Sequence, residues 1–179
     1  MRRYSSLVGV VVVAAFAALP LGYSSTSTTA FACPSDPRTQ PLGKIYGKNR
    51  GTSFCNDGAK ATAIVGTVKT KLSFTGGVCW KGSVGLNVAI GTLIPFERKA
   101  GEPPGFWLID TKPGNILKDT VDAQRGTLTW NGPVKLKQSA SKKTGTFTGR
   151  EPKLVKGKLT YVAITGSYTC RRILDAPEQ

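Results

Sequence analysis

The chain contains no histidine, which removes the commonest general base, the commonest metal ligand and every Ser-His or Cys-His nucleophile pair. Carboxylates remain. Glu97, Glu102, Asp110, Asp119 and Asp122 fall in or beside one irregular middle stretch, where two of them could flank a glycosidic bond as general acid and nucleophile or base; solvated loop charge is the plainer reading. A serine activated by a desolvated lysine would need Ser139 or Ser141 beside Lys142 or Lys143, but all four sit in a polar stretch where a lysine keeps its proton. Thr75-Gly76-Gly77 lacks the Gly-Lys-Ser/Thr ending and following helix of a phosphate loop. The sequence predicts no catalytic residue, no metal site and no cofactor.

Cysteine offers the next chemistry. Cys33, Cys55, Cys79 and Cys170 show no Cys-x-x-Cys spacing, so with histidine absent a zinc site has no ligand pattern to stand on. Four cysteines in an oxidising compartment allow three disulfide pairings. Cys33 and Cys55 bracket a Pro/Gly-rich stretch, while Cys79 and Cys170 lie in segments with strand character. The expected bridges are Cys33–Cys55 and Cys79–Cys170.

Charge is the strongest remaining signal: 25 Lys and Arg stand against 10 Asp and Glu, a formal charge of +15. Lys69 and Lys71 are read as facing out from one strand, Lys135 and Lys137 from another, and Lys142 and Lys143 follow within a few residues. These six are the predicted basic binding face. Such a field attracts an anionic envelope polymer or phospholipid, and nucleic acid without specificity. The competing reading makes the lysines solubility devices and guards of sheet edges. Trp80, Trp107 and Trp130 would serve as stacking platforms for bases or sugar rings if exposed; in a domain of this size core packing is the expected role.

The elements that must position these groups begin with an export signal. Met1-Arg2-Arg3 is a positive start, residues 7–21 are almost wholly apolar, and Ala30-Phe31-Ala32 is a small-x-small processing site before Cys33. The apolar run is about 15 residues, short of the roughly 20 that span a bilayer, so a signal peptide over 1–32 and no retained transmembrane helix are expected. Lipidation of Cys33 is the alternative fate. Bulky Phe31, two places before it, fits that signal poorly. The expected location is therefore secreted or in the cell envelope, with soluble export favoured over a lipid anchor.

Residues 33–57 carry Pro34, Pro37 and Pro41 among Gly43, Gly47 and Gly51 without apolar periodicity, and are read as an irregular, stapled segment. A β domain is expected over 58–172 and a tail over 173–179. Ile64, Val68, Leu72 and Phe74 alternate with polar residues as in a half-buried strand, and Val84, Leu86, Val88 and Ile90 repeat the pattern. Residues 95–105 read as a loop and Phe106-Trp107-Leu108-Ile109 as a strand; a second irregular connection is expected up to Arg125, with at most one helical turn at 119–124. Asn131-Gly132 between Leu128-Thr129-Trp130 and Val134-Lys135-Leu136-Lys137 is the strongest hairpin signal. Thr144 to Thr148 is a short strand, 149–157 a loop and 159–170 a long last strand with Val162, Ile164, Tyr168 and Cys170 on one face. The fold class is all-β: an antiparallel sandwich or partly closed barrel with disulfides.

Val78-Cys79-Trp80, Leu86-Asn87-Val88-Ala89-Ile90-Gly91, Leu108-Ile109-Asp110 with Pro113, Leu128-Thr129-Trp130 and Tyr168-Thr169-Cys170 together resemble the mycobacterial lipoprotein antigens of the LpqH family, over roughly residues 78–170. The resemblance implies an exported envelope β protein with no known chemistry, often recognised by the host through its lipid. The chain departs from that pattern in its lipidation signal and in the added Cys33 to Cys55 segment. The functional expectation is a secreted, non-catalytic binding protein of the envelope; a host- or competitor-directed interaction protein and a carboxylate-based glycan hydrolase are the alternatives.

Overall fold

The computed structural model describes residues 31–36, 38, 40–48, 50–66, 69–111, 118–155 and 157–175. Residues 1–30 of the expected signal peptide, Val68 and Pro113 lie outside them. The strands are β1 (Gly43–Tyr46), β2 (Gly51–Phe54), β3 (Ala59–Val65), β4 (Thr70–Lys81), β5 (Gly85–Leu93), β6 (Gly105–Thr111), β7 (Thr120–Arg125), β8 (Leu128–Gln138), β9 (Thr144–Val155), β10 (Lys158–Thr169) and β11 (Leu174–Asp175). Strands β3 to β10 pair antiparallel in chain order, and β10 returns to β3, with Tyr168 opposite Ala61. This closes an eight-stranded up-and-down barrel and leaves the eight strands no free edge where they pair. Between the two architectures that the sequence predicts, the closed barrel is the outcome.

An eight-stranded barrel is just wide enough inside for side chains to fill it. Here Phe74, Phe106 and Phe147 form a chain of rings with centroids 5.3 and 5.7 Å apart. Trp130 and Tyr168 join them, both almost fully buried, with Leu72, Leu86, Val88, Leu108, Val121 and Ile164 between. Each such side chain contributes about 1.5–3 kcal/mol when removed from water. The polar tips are satisfied: Trp130 Nε1 donates to the Val162 carbonyl at 3.0 Å, and the Tyr168 hydroxyl donates to the Lys142 carbonyl at 3.1 Å while accepting from Gln138 Nε2 at 2.7 Å. The Cys79–Cys170 disulfide lies in this interior cluster.

A second apolar cluster lies against β4 and β5. Residues 33–57, expected to be irregular, supply the β1–β2 hairpin, which extends the wall through Thr52 opposite Leu93. Leu42, Phe54 and the Cys33–Cys55 disulfide cover Val78 and Ala89 there. Both faces of β5 are thereby buried, which explains why Asn87 and Ala89, on the face opposite Leu86, Val88 and Ile90, are inaccessible. The expected tail contributes β11, with Leu174 parallel to Trp80.

Four further expectations are corrected. The first strand reading ran from β3 into β4 across the connection that begins at Gly66, which resets the alternation: Ala61, Ala63 and Val65 point inward, and Ile64 points out at 40% exposure. Residues 120–125 form β7, with Val121 and Ala123 inside the barrel, in place of a loop or helical turn. The Asn131-Gly132 hairpin is absent. β8 runs straight through it, Asn131 opposite Asp122 and Gly132 opposite Val121, and the turn lies instead at Gly126 with φ 55°. A Cβ at Gly132 would stand 3.4 Å from Trp130 Cη2, an ordinary contact, so neither a turn nor packing demands glycine there. Residues 149–157, read as a loop, mostly continue β9, paired with β10 from Arg150 opposite Ala163 to Val155 opposite Lys158.

Candidate functional site

Where β8, β9, β10, β3 and β4 as far as Thr75 pair in the barrel, alternation sends their apolar residues other than Ile64 inward and leaves a continuous outer wall that is otherwise polar. The register aligns these in rows. Lys135, Thr148, Thr165, Ile64 and Lys71 form one; Lys137, Thr146, Ser167, Thr62 and Ser73 form the next; Thr144, Thr169, Lys60 and Thr75 form a third. All are exposed except half-buried Ser167, whose hydroxyl shares a 3.0 Å hydrogen bond with that of Thr62. No Asp or Glu stands in these rows. Four lysines spaced among nine hydroxyl groups thus face solvent without an opposing charge on the wall itself. This polar exterior around an apolar interior is the reverse of a membrane-spanning barrel.

A groove of about 580 Å³ crosses one end of the first row. It opens where β8 and β9 part. Their pairing ends at Val134 opposite Gly149; beyond it Pro133 has no N–H to offer, β8 stays with β7, and β9 continues with β10 alone. Lys118, Lys135 and Arg150 line the groove together with Thr148, Thr165 and Ala163. Three cations and two hydroxyls stand about a groove whose exposed lining is otherwise mostly apolar, so a phosphate or sulfate group would be met at its rim, where Arg offers paired donors and Lys a point charge.

The six predicted lysines do not form one patch. Lys71, Lys135 and Lys137 lie in the rows, with Lys71 and Lys135 at opposite ends of the first. Lys143 is exposed in the turn between β8 and β9, next to the third row. Lys142, in the same turn with φ 56°, faces away: its Nζ donates to Asp110 Oδ2 on β6 at 2.9 Å. Lys69 sits in the β3–β4 turn, at the opposite end of the barrel from Lys142 and Lys143. Lys60, Lys118 and Arg150 were not among the predicted site residues. Lys60 alternates with the small inward residues Ala59, Ala61 and Ala63, a strand signal weaker than one carried by Val or Ile. Arg150 falls in the stretch read as a loop.

Four of the five candidate carboxylates are engaged where they lie, by the contacts that follow. Asp110 holds Lys142. Asp119 Oδ1 accepts from the Thr111 backbone N–H at 2.9 Å and its hydroxyl at 3.1 Å. Glu102 pairs with Arg50 at 3.1 Å and accepts from the Lys99 N–H at 2.8 Å. Asp122 accepts from Gln124 Nε2 at 3.0 Å through Oδ2, and its buried Oδ1 has no hydrogen-bond partner among the described residues. Burial pushes its carboxyl above the usual aspartate range, against the pull of Asn131, Gln124 and Arg98. Gln124 and Arg98 organise this corner: Gln124 binds both the N–H and carbonyl of Ile94, and the buried Arg98 guanidinium reaches Gln124 and the carbonyls of Pro103 and Gly126. That network fixes the 94–104 loop to β7 and to the turn between β7 and β8. Lys142 being committed to Asp110, its amine is not directed to Ser139 or Ser141, which bond the turn and each other.

The tryptophans follow the packing expectation. Trp130 is in the barrel core. Trp80 stacks on Phe54 at 6.0 Å, and half-buried Trp107 donates to Asn87 Oδ1 at 3.1 Å beside the same ring.

No family model, curated protein or solved structure matches the chain.

Proposed function

We propose that the protein is an exported, non-catalytic binding protein of the cell envelope that engages an anionic surface polymer or lipid through the outer wall of β8, β9, β10, β3 and β4. The observation that carries this reading is the carboxylate-free wall, with Lys118, Lys135 and Arg150 gathered at one groove. Positive charges that are not neutralised locally sum into a field that concentrates polyanions, and salt screens it over about 8–10 Å. The two disulfides are consistent with an oxidising compartment. With its sulfur bonded to Cys55, Cys33 has no thiol to offer a lipid thioether, which favours the soluble form over the anchored one.

The test is adhesion to long-chain polyphosphate and to phosphatidylglycerol vesicles, with salt varied. The triple variant Lys135→Glu, Lys137→Glu and Arg150→Glu is expected to lose at least tenfold in affinity for both probes at low salt and to keep its melting temperature, since outward strand positions carry little packing energy. Binding by the triple variant equal to wild type, or wild-type binding indifferent to salt, would reject the proposal and favour a specific protein partner.

A further inference from the structure

The hairpin of β9 and β10 is longer than the barrel needs. β8 pairs with β9 only between Gly145 and Gly149, and β3 pairs with β10 only between Ile164 and Thr169. From Arg150 to Val155 and from Lys158 to Val162 the two strands pair along the backbone with each other, and at the base the Ala163 carbonyl also accepts from the Gly66 N–H at 2.9 Å. One face of this ribbon is held to the barrel: Lys153 Nζ donates to the Thr129 carbonyl at 2.6 Å, and the Val162 carbonyl accepts from Trp130. The other face is free, and its composition is unusual for a soluble surface. Leu154 and Leu159 are cross-strand partners exposed at 76% and 64%, and Tyr161, at 57%, stands opposite Pro152. Apolar side chains this exposed and this close together, on a projecting element, mark an interaction surface.

Their order along the ribbon identifies the partner. Along the outer face the pairs run Leu154 with Leu159, then Pro152 with Tyr161, then Arg150 with Ala163, and the exposed Lys158, opposite Val155, stands beyond the leucines at the tip. Each step of two residues advances about 6.8 Å, so Arg150 lies about 13 Å behind the leucines. Two leucines and a tyrosine on one face, with a cation beyond each end, make the pattern of an element that lies along a bilayer interface: apolar side chains among the acyl chains, the aromatic ring at the headgroup boundary, and Lys158 and Arg150 at the phosphates. Arg150 also stacks over the Tyr161 ring at 5.6 Å, which holds the collar against the aromatic belt. Lys135 lies beside the ribbon's base, and the groove cations continue the positive field behind it.

We infer that the β9–β10 ribbon inserts Leu154, Leu159 and Tyr161 into the surface of an anionic lipid bilayer, with Arg150 and the adjacent groove at the phosphates. This rests on the anionic-surface reading above and chooses the lipid as its target. Insertion supplies what charge alone does not, a binding term that salt leaves in place.

The experiment compares the protein in its natural processed form with the double variant Leu154→Ser and Leu159→Ser, using phosphatidylglycerol vesicles, phosphatidylcholine vesicles and soluble polyphosphate as parallel probes. Wild type is expected to sediment with phosphatidylglycerol vesicles and to retain part of that binding in 0.5 M salt (roughly a 4 Å Debye length). The double variant is expected to lose at least tenfold in vesicle affinity and all of the salt-resistant fraction, with polyphosphate binding unchanged. Equal vesicle binding by the two proteins overturns the inference and leaves the charge reading standing. Wild type that binds polyphosphate but not vesicles overturns it in the same way, whereas failure on every probe overturns both. A wild-type dimer in solution that the double variant abolishes, without vesicle binding, would assign the ribbon to a second copy of the chain and also overturn it.

Discussion

Lys142 Nζ stands 2.9 Å from Asp110 Oδ2, tying the β8–β9 turn to the end of β6 across 32 residues of chain. Asp110 is the buried partner, its side chain 11% exposed against 53% for the lysine. The Tyr168 hydroxyl bonds the carbonyl of the same lysine, so the turn, in which Lys142 holds a left-handed φ, is fixed from two sides. Lys142 is therefore a structural cation among the basic residues of this chain.

That placement separates two kinds of lysine. Lys142→Glu sets a second carboxylate against a nearly buried Asp110 and is expected to destabilise the fold by about 1–3 kcal/mol. Lys137→Glu, on the open wall, is expected to change stability by about 0.5 kcal/mol or less. Urea denaturation of the two variants checks this, and equal midpoints would remove the structural role.

Asp122 sets the direction of one pH effect. Its folded carboxyl titrates above the ordinary aspartate range because burial disfavours the charge. The folded chain thus holds this proton over a pH window in which the unfolded chain has lost it. Its contribution is fully present below the unfolded value and is lost as pH rises through the window to the raised folded value. Asp122→Asn is expected to be more stable than wild type above that window and to flatten the stability profile within it. Denaturation midpoints between pH 3 and 8 measure both; a variant less stable than wild type at pH 7 would show that hydrogen bonding at this site outweighs burial.

Much of this was legible in the sequence, and the gaps share a cause. The two disulfides and the last strand were readable because cysteines come in countable pairs and because Ile164, Tyr168 and Cys170 alternate without interruption. The errors fall where small residues carry the inward face. Alanine at 59, 61, 63 and 123 is inward but scarcely distinguishable by pattern from a polar position, so β3 was phased wrongly and β7 was missed. Asn131-Gly132 misled for a different reason. The pairing of Asn131 with Asp122 and of Gly132 with Val121 on β7 carries the strand straight on, and turn chemistry read locally contains no information about that partner. The basic wall was half legible. Alternation placed Lys71, Lys135 and Lys137 outward, but only the register of five strands shows which rows they share and that Lys69 and Lys142 fall outside them.

Gly149 tests the packing behind the groove. A Cβ there would stand 2.7 Å from the Pro133 carbonyl oxygen, 2.8 Å from Trp130 Cη2 and 3.0 Å from Val134 Cγ1. Backbone and a fully buried indole cannot yield as a flexible side chain would. Gly149→Ala is expected to destabilise by about 1–3 kcal/mol through overpacking. Trp130 fluorescence and thermal unfolding follow it. The substitution Gly157→Ala is not a control, since that glycine has φ 75°; Thr148→Ala, on the outer face of the same strand, is expected to leave the melting temperature within about a degree or two.

The two disulfides differ in what they hold. Cys79 on β4 and Cys170 at the end of β10 belong to the strands on either side of β3, so their bridge spans the strand that closes the barrel, from inside the core. Cys33–Cys55 fastens the N-terminal segment to the β1–β2 layer outside the wall. The loops they close span 22 and 91 residues, for which the chain-entropy model gives about 3 and about 4.5 kcal/mol. Cys79→Ala with Cys170→Ala is therefore expected to lose more stability than Cys33→Ala with Cys55→Ala. It is also expected to accelerate hydrogen exchange at the amides of residues 61–65, where β3 meets β10, while the second pair of substitutions leaves those amides protected. Equal losses of stability, or seam amides equally protected in both variants, would show that pairing between β3 and β10 closes the barrel without help from the bridge.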